Sequence, residues 1–164
     1  GYSLVEDDRP GIFNPEKARE FGVPEGPLWA RLQAGENVEN SDGKNVESSD
    51  VVGSRRSGRK FSYVTDTLYI DSIAKEVQDS DLLICEGMFT DELKESAREK
   101  KHLTAKQAGT IARDAGGIKS LGLIHYSPRY TEYDLKRLLA EARAIFSNTH
   151  LTKDRQITPI PFVD

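Results

Sequence analysis

Sulfur is scarce in this chain, and positive charge is outnumbered by negative. Cys85 is its only cysteine, so no internal disulfide can form, and a reducing compartment, the cytoplasm, is the expected location. No apolar run approaches the roughly 18 residues that span a bilayer, which predicts no membrane partner. The opening Gly1-Tyr2-Ser3-Leu4-Val5 has neither the basic end nor the apolar stretch of a secretion signal. A net charge of −4 sets the chain apart from general nucleic-acid coat proteins, which are basic overall. What is present is one domain's length, 164 residues, with 37% hydrophobic and 30% charged residues. That suits a soluble protein with a real core.

Positive charge is concentrated locally. Arg55-Arg56-Ser57-Gly58-Arg59-Lys60 packs four cations into six residues, and Arg98-Glu99-Lys100-Lys101 adds three. On composition alone both read as solvated charge clusters.

Texture divides the chain near residue 58. Residues 1–58 are rich in Gly, Pro, Asn, Asp and Ser, and predict a small, loosely cored arm. Asn14-Pro15 reads as an N-cap with proline at N1, and Asp42-Gly43 as a hairpin turn. Residues 59–164 alternate between strand and helix. Phe61–Val64, Leu82–Cys85 and Leu121–Ile124 are apolar runs of strand length. Helices are predicted over 104–115, opened by a Thr104/Gln107 capping box, and over 132–146. Gln156 to Phe162 alternates like a strand, confined to an edge by Pro159 and Pro161. Such alternation implies an α/β layer structure.

Each apolar strand runs into a residue able to do chemistry. The first leads to Asp66, the second to Glu86 and the third to His125, while His102 lies just ahead of the Thr104 cap. Sites in sheets of this kind gather at the carboxyl ends of strands, and neighbouring strands lie about 4.8 Å apart. Singly, each has a plain structural reading: a turn aspartate, a solvated strand end, a structural histidine, a loop residue. Together they could surround one metal ion or one phosphate.

The ordered set Val64-Thr65-Asp66-Thr67, Glu86-Gly87-Met88-Phe89, Lys101-His102-Leu103-Thr104 and Ile124-His125-Tyr126-Ser127-Pro128-Arg129-Tyr130 resembles the C-terminal motifs of the ribonuclease Z family. Upstream, Gly1-Tyr2 to Arg9-Pro10-Gly11 and Pro24-Glu25-Gly26-Pro27-Leu28 resemble that family's flexible arm with its Gly-Pro motif. Thr65 stands where the family has glycine, Leu103 where serine is common, and Met88 where threonine is usual. The family's His-x-His-x-Asp-His motif is absent, the histidines here being His102, His125 and His150.

The resemblance implies a fold, a reaction and partners. The fold is half of a metallo-β-lactamase αββα sandwich with an irregular arm at its N-terminal end. The reaction is zinc-dependent endonucleolytic removal of the 3′ trailer from precursor tRNA, with two zinc ions in the intact enzyme and weak or no zinc binding, and little activity, in this chain alone. Asp66 and His125 would be metal ligands, and Glu86 and His102 the catalytic proton-transfer pair. Gly26, Pro27 and Arg129 would touch substrate, with the arm serving the partner's site in a homodimer. His150 matches no motif and is expected at the surface. Two other readings stay open: another phosphodiesterase of the same fold, or a tRNA-binding module without catalysis.

Overall fold

The computed structural model describes residues 1–162. In chain order its elements begin with β1 (Tyr2–Val5), α1 (Pro15–Glu20), α2 (Pro27–Gln33), β2 (Val38–Glu39), β3 (Asn45–Val46) and α3 (Ser48–Val51). They continue with β4 (Lys60–Val64), α4 (Ser72–Val77), β5 (Leu82–Glu86), α5 (Lys94–Glu99), α6 (Ala105–Ala115), β6 (Leu121–Ile124), α7 (Glu132–Arg143) and β7 (Thr149–Leu151). A single 3-10 turn, Asp91–Leu93, leads into α5.

The chain forms two compact units. One begins with Gly1–Glu6 and resumes at Arg59; the other is Asp7–Gly58. In the first, a five-stranded sheet runs in the order β1-β4-β5-β6-β7, parallel throughout except for β1, which is antiparallel to β4. Alternation along the strands turns Leu83, Cys85, Leu121 and Leu123, all fully buried, toward the helices. They meet the stripe Ala105, Ala108, Ile111, Ala112 of α6 and Leu138 and Ala142 of α7. Helix α6 opens with the expected box: Gln107 donates its backbone N–H to the Thr104 hydroxyl, and the Gln107 side chain accepts from the Thr104 N–H.

Three expectations are corrected here. Residues 1–6, assigned with the arm, belong to the sheet unit, because Tyr2 to Val5 pair with Tyr63 to Lys60. Residues 156–162 form no strand; the edge beyond β6 is taken by Thr149–Leu151 instead. The arm is not loosely cored. Ala18, Val23, Leu32, Val38, Val46 and Val51 are all buried against one another, with Phe13 and Trp29 packed on them. Its local signals act as written: Asn14 caps α1 by accepting the Lys17 N–H, and Asn40 accepts the Asp42 and Lys44 N–H groups across the turn.

Candidate active site

Parallel registration levels the ends of three strands. Val64 faces Cys85 and Glu86 faces Ile124, so the residues that follow emerge side by side. Glu86 closes β5 with no exposed surface. One carboxylate oxygen accepts the Thr67 backbone N–H at 2.6 Å; the other lies 3.0 Å from Nδ1 of His102. A carboxylate at this depth requires such partners, since an unpaired buried charge is strongly disfavoured. The Thr67 contact carries no side-chain signal, so a reading of residue types had no means of finding it.

Asp66 and His125 complete the cluster. Nδ1 of His125 is 3.1 Å from Oδ1 of Asp66 and 3.8 Å from the Glu86 oxygen that His102 also meets. The Thr65 hydroxyl donates to the same Asp66 oxygen at 2.8 Å. The His102 and His125 rings stand edge to face, 5.0 Å between centroids. Side-chain exposure rises from 0% at Glu86 through 17% at His102 and 38% at His125 to 64% at Asp66. The cluster therefore runs from core to solvent, with its carboxylate anchor inside and its open groups outside.

Backbone strain is concentrated in the same place. Five non-glycine residues are left-handed among those described, and three of them, Asp66 (φ 45°), Lys101 (φ 61°) and His125 (φ 59°), lie in the site loops. Each such residue costs about 1 kcal/mol or more, and strain of this kind gathers where geometry serves function. The left-handed turn falls on Asp66, so the β-carbon of Thr65 meets no positive φ.

The segment after β5 holds the two histidine loops together. Gly87 donates to the Ile124 carbonyl, and Met88 accepts from the Ser127 N–H. Phe89 exchanges backbone hydrogen bonds with Leu103 and Ala105. Thr90 donates its N–H to the Tyr130 phenol oxygen at 2.9 Å. Thr90 and Tyr130 were not singled out by residue type, although Tyr130 closes the His125 motif.

The donor set suits a divalent cation. One carboxylate and two imidazoles, from Asp66, His102 and His125, place ligand atoms within 4.8 Å of one another. Two ligands of one zinc ion are at most about 4.2 Å apart, so small side-chain shifts bring the three onto one centre. His102, expected only as a proton-transfer group, is thus also within reach of the metal position. Of the other expected residues, Arg129 is exposed on the loop after His125, while Gly26 and Pro27 belong to the other unit, where Gly26 (φ 123°) caps α2. His150 is not a surface residue. It is half-buried on β7, its Nε2 has no hydrogen-bond partner among the described residues, and burial, with Arg143 nearby, holds its pKa below the usual histidine value.

A mixed sheet backed by helices, with carboxylates and imidazoles at its strand ends, defines a class: the chain belongs to the beta-lactamase superfamily, whose domain model matches residues 25–126. Within that class it is similar to the ribonuclease Z of Treponema denticola, 52% identical over 164 residues covering 100% of this chain and 53% of that protein. It is 44% identical to the ribonuclease Z of Haloferax volcanii over 165 residues, 51% of that protein. Among solved structures it resembles the short form of human tRNase Z, with a TM-score of 0.50 and 27% identity over 72% of this chain and 37% of that one. A metallo-beta-lactamase fold protein of Bacillus subtilis matches with a TM-score of 0.52 and 28% identity over 58% of this chain and 38% of that one. The chain spans about half the length of the curated relatives it matches.

Proposed function

We propose that this chain supplies the proton-transfer groups and part of the metal site of a zinc-dependent endoribonuclease that removes the 3′ trailer from precursor tRNA. In this reading the enzyme works as a homodimer in the cytoplasm. The observation that carries the reading is the Glu86–His102 pair, set beside Asp66 and His125 in a chain whose relatives bear the name ribonuclease Z. Cys85, single and buried, suits a reducing compartment.

Asp66 and His125 would hold metal, as the resemblance assigns them. Zinc, when bound, supplies positive charge that acidifies a bound water and offsets charge developing on the phosphate. Glu86 fixes the His102 ring through Nδ1–H, which leaves Nε2 as the proton carrier. As the water oxygen, having released one proton to bulk solvent, bonds to phosphorus and the P–O3′ bond breaks, the departing O3′ would take the Nε2 proton. Glu86, held by the Thr67 N–H, stabilises the positive imidazolium before that transfer. The open side of the cluster, at Asp66 and His125, faces solvent and so is where a phosphodiester can enter. Arg129, exposed on the loop after His125, would pair with a neighbouring phosphate, and Gly26-Pro27 would meet the tRNA elsewhere. The arm unit holds seven basic against ten acidic residues, so its grip on RNA is local rather than a general attraction.

Kinetics of the full-length protein containing this chain test the reading, on precursor tRNA and on bis(p-nitrophenyl) phosphate. Glu86→Ala and His102→Ala are expected to lower kcat by about 10²- to 10⁴-fold with little change in KM for precursor tRNA. Removal of the Gly26-Pro27 loop should raise KM for precursor tRNA and leave the small diester unaffected. A protein that hydrolyses the small diester but leaves trailer-bearing tRNA intact is a different phosphodiesterase of this superfamily.

A further inference from the structure

The cations before His102 lie at a defined helix end. Helix α5 ends in a Schellman motif: the Lys101 N–H donates to the Arg98 carbonyl, and the His102 N–H to the Ala97 carbonyl at 2.8 Å. The motif needs one left-handed residue, a position usually held by glycine, and here it is Lys101 at φ 61°. The same motif delivers His102 into the site.

Charge points the same way. Lys106, Arg113 and Arg137, on the neighbouring helices, are each ion-paired with a carboxylate. Among the described residues, no ion pair involves Arg98, Lys100 or Lys101, and all three are exposed. Four cations face two carboxylates between Lys94 and Lys101, so positive charge is left over. The Lys100 ammonium sits 5.6 Å over the ring of Phe89, whose own centroid is 6.4 Å from the His102 ring. Cations at a helix C-terminus are favoured by the helix dipole, which accounts for Arg98 and Lys100. It does not account for a lysine in the left-handed position.

We propose that Lys101, with Lys100 and Arg98, forms a phosphate-binding rim that holds the RNA strand beside the scissile bond as it passes His102. The proposal rests on the endoribonuclease reading of the site. Each contact is to a backbone phosphate, so the rim positions the strand without reading its sequence.

Lys101→Gly separates structure from binding. It relieves the left-handed strain, so the thermal midpoint should rise by about 2–4 °C, while the charge is lost. Lys101→Asn keeps a residue tolerant of that conformation, and Lys101→Arg keeps the charge. Affinity of the full chain is read by fluorescence anisotropy, with labelled precursor tRNA and with an unrelated single-stranded RNA of equal length, over a salt series. Lys101→Gly and Lys101→Asn should bind precursor tRNA several-fold more weakly, and the salt slope should fall by about 0.7 per lost contact. Lys101→Arg should restore both. Unchanged affinity and slope in Lys101→Gly and Lys101→Asn overturn the rim and leave the tRNA reading standing. Weaker binding together with a lowered midpoint in both also overturns it, showing Lys101 to be structural. If wild type prefers neither RNA but both bind more weakly in Lys101→Gly, the rim stands and the tRNA reading falls. No binding of either RNA by the wild-type chain sinks both.

Discussion

His150 and Asp66 show how differently two polar residues can be legible. His150 pairs across from Gly122 on β7, where its Nδ1 lies 3.4 Å from the Ser120 hydroxyl and its Nε2 has lost water. Burial depresses its pKa in the folded chain, so the unfolded state takes up the proton first, near the ordinary value of about 6.5. Its linkage is therefore absent above that pH and destabilising as pH falls below it. The thermal midpoint should drop between pH 7 and 5.5, and less steeply in His150→Gln; identical slopes would show that His150 does not titrate there. The sequence around His150 does not mark it as buried, because part of its surroundings is remote: the space over Gly122 of β6 is shared by His150 Nε2 and the Ile84 side chain of β5. Asp66, Glu86, His102 and His125 were legible, since each stands just beyond an apolar run or before a cap. The left-handed backbone at Asp66 and His125 was not, because no glycine signals it.

Elements became legible in proportion to their apolar pattern. Strands β4, β5 and β6 are continuous apolar runs and were readable; β1 is exposed along its whole length and exists only because β4 offers it a ladder. Strand β7 has three residues, too few for periodicity to register. The helices carried stripes and caps, yet the pattern gave no hint of how near α6 and α7 come. A β-carbon on Gly109 would sit 2.8 Å from the Ala142 carbonyl oxygen and 3.3 Å from Cβ of Ile145. In an isolated helix, Gly→Ala stabilises by about 1 kcal/mol. Here the obstruction is partly backbone, which cannot rotate away, so Gly109→Ala should destabilise by about 1–3 kcal/mol. Thermal melts decide the sign, and a raised midpoint would mean that the two helices separate easily.

For the whole molecule, the main surprise is the arm's own core. Ala18, Val23, Leu32, Val38, Val46 and Val51 are scattered five to nine residues apart, with no helical or strand period to join them, and only the fold reveals them as one cluster. Among the described residues, a core cluster of six buried residues in the arm against one of sixteen in the sheet unit implies a lower opening free energy for the arm. Leu32→Ala, at a site with no exposed surface, should cost about 2–5 kcal/mol and melt residues 7–58 selectively. Hydrogen exchange read by mass spectrometry should then show lost protection there, with β5 and β6 still slow to exchange. Uniform loss across both units would mean that they unfold together.

The way the arm joins the sheet has a consequence for its history. Val5 lies opposite Lys60, the Glu6 N–H bonds to the Arg59 carbonyl, and the Glu6 carboxylate takes the Arg59 guanidinium with both oxygens. The chain thus leaves and re-enters the sheet at one hydrogen-bonded rung, where a two-residue turn would serve equally well to connect antiparallel neighbours. Fifty-odd residues hang from a junction that is already closed without them. An insertion mounted in this way can lengthen, shrink or be exchanged between lineages while the strand ends keep their register. The segment between β1 and β4 can then change by recombination at the rung, with no need to rebuild the sheet.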